Sequence, residues 1–296
     1  MLTSQSIRDV LAAHAAKHPN EFFYLLIDHA GMPGLLRELR KTRFEWASLF
    51  EGTTQANALS VAPILIRVGS TSEAIPHGFF LRWVCERGAY RSSLTLLVSA
   101  LTIRELAGRL TARLDAKISD ETEVLLRYFD PRVFEQLVLS LSIDQRTALL
   151  SVASSWWFVD RIGELRAVES QFSMTDAHCA PLILSARQEF ALVDASEPDQ
   201  VAEQLRKSVP NEFNRLSGAE RYPFITRHMR DGRDFRITST RELALYCALA
   251  LLYGADFSTG PEWATKLDLI RESKHDLTSV VARLSESPAD EESHET

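Results

Sequence analysis

The sequence predicts an α/β N-terminal domain, a mixed sheet with flanking helices, followed by an all-α C-terminal domain. Three observations lead there. Through residue 170, apolar runs of strand length alternate with stretches of helical spacing, the pattern of a layered α/β unit. Beyond Pro181 every periodic stretch is helical. At 296 residues the chain is long enough for two cores, and the periodicity lapses between Gln171 and Cys179. The domains are accordingly placed at 1–170 and 171–284, with 285–296 as a tail.

In the first domain, strands are expected at Phe22 to Asp28, Val61 to Val68, Ser93 to Ser99 and Val124 to Phe129, each short, apolar and bounded by turn residues. Helices are expected at Pro33 to Arg43, Pro76 to Arg87 and Thr102 to Leu114. Thr102 and Glu105 have the spacing of a capping box, in which hydroxyl and carboxylate satisfy backbone N–H groups left unpaired by the first turn. Asp130-Pro131 opens another helix, because Asp accepts from the helix start and Pro needs no N–H at the first position. Ser154 to Asp160 and Gly163 to Glu169 are expected to form a hairpin across Arg161-Ile162.

The second domain is expected to contain helices at Leu182 to Asp194, Pro198 to Ser208, Ala219 to Arg230, Arg241 to Tyr253, Glu262 to Arg271 and Leu277 to Leu284. Ser217 with Glu220 and Ser239 with Glu242 repeat the capping-box spacing, and Gly254 sits where a helix end favours a left-handed residue. The last twelve residues, SESPADEESHET, hold five acids and no large apolar side chain, so disorder is expected there.

Composition removes several classes. With 45% hydrophobic residues, 12 Gly and three Cys, the chain is not a disordered, collagen-like or disulfide-framework protein. Cys85, Cys179 and Cys247 form no C-x-x-C pair. The start, MLTSQSIRDVLAAHAAKH, lacks a leader pattern, and no apolar run reaches the roughly 18 residues that span a bilayer. A cytoplasmic location and no membrane partner are expected. The formal net charge of −7 is uneven: residues 1–170 carry 19 basic and 19 acidic groups, while the tail carries five acids and no base. A nearly neutral body argues against a nucleic-acid partner, which calls for clustered Lys and Arg.

Catalytic signatures are missing: no G-x-S-x-G, no G-x-x-x-x-G-K-[ST], no G-x-G-x-x-G and no H-E-x-x-H. No cofactor or metal is expected. His14 and His18 have metal-ligand spacing on a helix, but they continue the apolar stripe of Ile7, Val10 and Leu11. His178-Cys179 has a base-and-nucleophile composition within what reads as linker. Arg37, Arg40, Lys41 and Arg43 interleave with Glu38 and Glu45, as on a solvated helix face. Asp28 ends a strand, where α/β proteins often place functional groups.

Two stretches stand out. In Leu126-Arg127-Tyr128-Phe129-Asp130-Pro131-Arg132 an expected strand runs into a capped helix, with two arginines flanking one carboxylate. The simplest reading is a corner held by an Arg–Asp pair. Trp156-Trp157-Phe158 would alternate across a strand, sending one Trp to the core and its neighbour outward as a partner-binding anchor, unless a helix covers both.

The order FYLLIDHAG, LFEG, APILIRV, SLTLLVS, LLRYFDPRVF and SSWW resembles the effector adaptor or chaperone (Tap/TEC) family of bacterial type VI secretion. The Arg-x-Phe-Asp-Pro-Arg signature falls on Arg127, Phe129, Asp130, Pro131 and Arg132, with Asp28 upstream. The likeness runs from Phe22 to Glu169, then fades to a helical region with YGADF at Tyr253 to Phe257. It implies a non-enzymatic protein that binds a cognate toxin effector in the cytoplasm and loads it onto a VgrG-type spike protein. The signature residues would serve structure or partner binding. The alternative is a small hydrolase or phosphotransfer enzyme using Asp28, Arg127 and Asp130.

Overall fold

In the computed structural model of the chain the described residues are 2–16, 19–73 and 78–286, the last three without their side chains. His18, the expected helix start at Pro76 and residues 287–296 of the expected tail lie outside them. The chain divides into two compact units, Met1–Ala195 and Ser196–Thr296.

The first unit begins α1 (Ser4–Ala15), β1 (Phe22–Asp28), α2 (Leu35–Leu39), β2 (Trp46–Ser48), β3 (Pro63–Ser70), α3 (Phe79–Gly88), β4 (Leu94–Ser99) and α4 (Ile103–Ala112). It continues β5 (Asp115–Lys117), β6 (Glu123–Leu125), α5 (Pro131–Ser140), α6 (Ile143–Leu150), β7 (Ser155–Val159), β8 (Leu165–Glu169), β9 (Leu182–Ile183) and the start of α7 (Ala186–Ser208). The second unit adds α8 (Pro210–Arg215), α9 (Gly218–Asp234), α10 (Thr240–Tyr253), α11 (Pro261–Arg271) and α12 (Leu277–Glu286). The α/β unit with flanking helices and the helical unit after it are therefore as expected.

A six-stranded sheet in the order β2-β3-β1-β4-β7-β8 organises the first unit, with antiparallel pairing throughout. β1 and β4 lie inside it and are covered on both faces, which is why FFYLLID and LTLLVS read as continuous apolar runs. The expected hairpin forms as β7 and β8, turning at Gly163 with φ +80°; a Cβ there would lie 2.7 Å from the Tyr90 ring. Mixed pairing occurs in a second sheet, where β5 pairs antiparallel with β6 and parallel with β9.

Four expectations change. The strand expected over Val124 to Phe129 ends at Leu125, because Leu126 to Asp130 turn to deliver Tyr128 and Phe129 into the core. Leu182-Ile183 starts no helix but pairs with β5, and this carries the first unit past residue 170 to Ala195. The two helices expected around Pro198 are one: proline removes a single i to i−4 bond, and α7 continues through it while Glu197 is held by Arg233 and Thr240. Ser285 and Glu286, assigned to the tail, close α12. The expected caps at Thr102, Asp130 and Ser217 are formed; Ser239 accepts from Glu242 N as expected, but the Glu242 side chain accepts from Leu277 N and does not close the box, and Gly254 has φ +102°.

The second unit wraps α10, whose residues Leu243 to Ala250 are buried almost all round, except the half-buried Leu245. Leu205, Phe213, Met229, Trp263 and Leu267 complete that core.

The least expected core residue is Arg113, just past the end of α4 and 0% exposed. All five of its N–H groups find acceptors. Nε donates to Leu149 O (2.8 Å), Nη1 to Arg109 O (2.8 Å) and Asp176 Oδ2 (3.0 Å), and Nη2 to Ala148 O (2.9 Å) and Asp176 Oδ1 (2.7 Å). One guanidinium thus caps the ends of α4 and α6 and clamps the segment after β8. Replacing Arg113→Met leaves Asp176 and three carbonyls without their donor. Chemical denaturation of the first unit should show a loss of about 3–5 kcal/mol, and a loss under about 1 kcal/mol would contradict the clamp.

Candidate functional site

The signature residues meet where β1 ends. Asp28 leaves the sheet through a tight turn in which its Oδ1 accepts from Ala30 N (3.0 Å) and its carbonyl accepts from Gly31 N (3.1 Å). A Cβ at Gly31 would lie 2.8 Å from the Ser93 side chain, so the turn can close onto β4 only with glycine there. The segment before α5 brings Arg127 to this point, and its Nη2 donates to Asp28 Oδ2 (3.0 Å) and lies 3.7 Å from Asp130 Oδ2. Asp130 caps α5 through Arg132 N (3.0 Å) and accepts two bonds from the Arg132 side chain, from Nε (2.9 Å) and Nη2 (2.7 Å). Pro131 occupies the first helical position.

Phe129 is buried edge-on to Phe50, with the Arg127 guanidinium 5.7 Å above its ring. Tyr128 is buried alongside, donating to Leu110 O (2.7 Å), and burial pushes its phenol well above the ordinary range.

Asp28, Arg127 and Asp130 therefore converge, but all four carboxylate oxygens already accept from N–H donors. Both carboxylates are buried while Arg127 and Arg132 reach solvent. Burial raises the Asp28 carboxyl above its ordinary 3.8; Arg127 opposes this and the Asp130 charge adds to it. In chemical terms the cluster is a corner of two carboxylates and two guanidiniums in which every carboxylate oxygen holds at least one donor.

The aromatic run divides as strand alternation requires. Trp156 is buried, stacked on Phe134 at 5.2 Å, with Nε1 donating to Leu150 O (3.0 Å). Phe158 is buried on the same face, edge-on to Phe134. Trp157 points the other way, half-buried, with the His14 ring edge-on at 6.0 Å.

His14 itself lies 2.7 Å from Glu21 through Nε2, 3.1 Å from Ser155 Oγ through Nδ1 and 3.4 Å from Ser154 Oγ. This knot ties α1 to the start of β1 and to β7. Among the described residues no group of three or more His, Cys, Asp or Glu is placed to hold a metal. His178 is half-buried, which lowers its pKa, and it bonds Asp176 through its backbone, while Cys179 is exposed with Sγ toward Ala177 O. Arg37 and Lys41 both pair with Glu38, but the expected solvated helix face is only partly formed: α2 ends at Leu39, and the Glu38 carboxylate is buried while its two cations reach solvent. No helix among the described residues is long and apolar enough to cross a membrane.

A feature that sequence reasoning missed is an open cavity of about 710 Å³ between α6 and the β7–β8 hairpin. One wall is Ile143, Arg146, Thr147 and Leu150, one face of α6 at i, i+3, i+4, i+7 spacing. The other includes Trp157, Ala167 and Glu169. The Ser142-x-x-Gln145 capping box, which forms, was the available signal for α6.

The raised carboxyl of Asp28 fixes a sign. Between its unfolded value and its higher folded value the native state holds the extra proton, so this group's contribution to stability is present at low pH and falls as pH rises through that window. Asp28→Asn keeps an acceptor for Ala30 and should flatten that part of the pH–stability curve, measured by urea denaturation from pH 3 to 8. Asp130→Ala should cost about 1 kcal/mol, since it removes a helix cap and pairs with half-exposed arginines.

Comparison with known proteins supplies one match. No curated protein and no solved structure matches the chain. Residues 23–148, which contain Asp28 and the whole Arg127–Arg132 signature, match the family described as a domain of unknown function, DUF4123.

Proposed function

We propose that the chain is a type VI secretion adaptor that binds a cognate toxin effector in the cytoplasm and hands it to a VgrG-type spike protein, without catalysis of its own. The observation that carries the reading is the cavity beside α6 with Ile143 at its wall, 83% exposed. Leu139 and Ile183 are also exposed, on segments bound together by Gln188 to Ser140 O (3.2 Å), Gln188 to Gln145 (2.8 Å) and Gln145 to Ile183 O (2.8 Å). Apolar side chains held out on a fixed scaffold suit partner binding. The match over residues 23–148 falls within the span that carries the adaptor resemblance, and the committed carboxylates of Asp28 and Asp130 support a structural role for the signature.

Co-expression of the chain with its effector and spike protein, followed by affinity purification, tests this. A stable complex with at least one of them is expected. Ile143→Asp should weaken that complex about tenfold or more while leaving the melting temperature unchanged, because the side chain packs on little else. No complex with either partner would overturn the reading.

A further inference from the structure

The cavity between α6 and the β7–β8 hairpin holds an unmatched charge. Arg146 lines it from α6, with Ile143 one turn before and Leu150 one turn after on the same helix face. Its side chain is half-buried. The other half-buried or buried arginines among the described residues of the first unit all have acceptors. Arg8 bonds Gln5, Arg67 pairs with Glu45 and Glu73, and Arg109 donates to the carbonyls of Ser173 and Met174. Arg113, Arg132 and Arg161 pair with Asp176, Asp130 and Glu135. The Arg146 guanidinium has no acceptor among the described residues. Glu169, the acid among the lining residues, is exposed and forms no ion pair with it. Ser170 Oγ, on the hairpin side of the same cavity, is buried without a hydrogen-bond partner among the described residues.

A guanidinium that has lost part of its water and has no counter-charge destabilises the free chain unless a group from outside completes it. Its planar fork fits a carboxylate through two parallel N–H···O bonds. Ile143, Leu150 and the Trp157 ring add apolar walls to the same cavity, so the occupant must place an apolar side chain beside that carboxylate. A free inorganic anion would match the charge and leave those walls wet, whereas an acidic protein segment satisfies both. A second copy docking through the same face would set cavity against cavity and Arg146 against Arg146, which fills neither.

We propose that Arg146 reads the partner's charge: it pairs with an aspartate or glutamate carboxylate of the effector, whose neighbouring apolar side chain fills the space along Ile143, Leu150 and Trp157. The proposal rests on the adaptor reading and names the chemistry of the cargo segment that the cavity takes.

The affinity of the full chain for its effector, measured by isothermal titration calorimetry at low and high salt, tests this. Arg146→Gln should weaken the complex about tenfold or more and remove much of its salt dependence. The melting temperature of the free chain should not fall, because the substitution breaks no bond. Arg146→Lys, which keeps the charge without the fork, should bind with intermediate affinity. Unchanged affinity in Arg146→Gln, with Ile143→Asp still weakening the complex, would overturn the carboxylate pair and leave the adaptor reading standing. Absence of any complex would overturn both, and an Arg146-dependent homodimer that excludes the effector would overturn the choice of occupant. Should Arg146→Gln lower the melting temperature, acid-to-amide substitutions in the effector decide against the unaltered chain. At least one of them should weaken binding about tenfold, and none doing so would overturn the proposal.

Discussion

The first unit is organised around a buried cation. Arg113 has no contact with solvent, and a guanidinium in that position is tolerated only when every donor is used and its charge is matched. Asp176 provides the charge, and three main-chain carbonyls provide the remaining acceptors. Burial alone would raise the Asp176 carboxyl, but the bonds and charge of Arg113 outweigh it and hold the group below its ordinary range. Because two of those carbonyls lie at the end of α6, the same interaction sets where that helix sits against β7. The cavity between α6 and the β7–β8 hairpin inherits one wall from this clamp.

A similar logic separates the other charged groups from the binding surface. Asp28, Asp130, Glu21 and Asp176 all hold N–H donors or cations at the joints between elements, where unpaired main-chain or side-chain groups would otherwise be stranded. The surface assigned to the partner has a different character: exposed Ile143, Leu139 and Ile183. A nearly neutral first unit, with 20 basic and 22 acidic groups over residues 1–195, suits recognition by shape and apolar contact more than by long-range attraction.

How much of this was legible follows from range. The β1, β3 and β4 strands announce themselves because strands covered on both faces must be apolar at consecutive positions, and helix caps because they use residues three apart. Leu126, Tyr128 and Phe129 are as apolar as a strand but belong to a turn, since what buries them is the tertiary position of Phe50 and Leu110 and not local alternation. Arg113 with Asp176 and Asp28 with Arg127 pair across 63 and 99 residues, and no local pattern marks either partner. The Asp130–Arg132 corner, by contrast, was readable because cap, proline and arginine are adjacent. The cavity depends on α6 meeting the β7–β8 hairpin, so its residues had no common signal before the fold brought them together.

The most direct test of the whole account is a cryo-electron microscopy reconstruction of the chain bound to its effector. The account predicts effector density in the cavity between α6 and the β7–β8 hairpin, against Ile143, with the Asp28–Arg127 and Asp130–Arg132 pairs unchanged and uncovered. Effector density seated on Arg127 and Arg132, with the Asp28 and Asp130 carboxylates released and the cavity beside α6 empty, would contradict it.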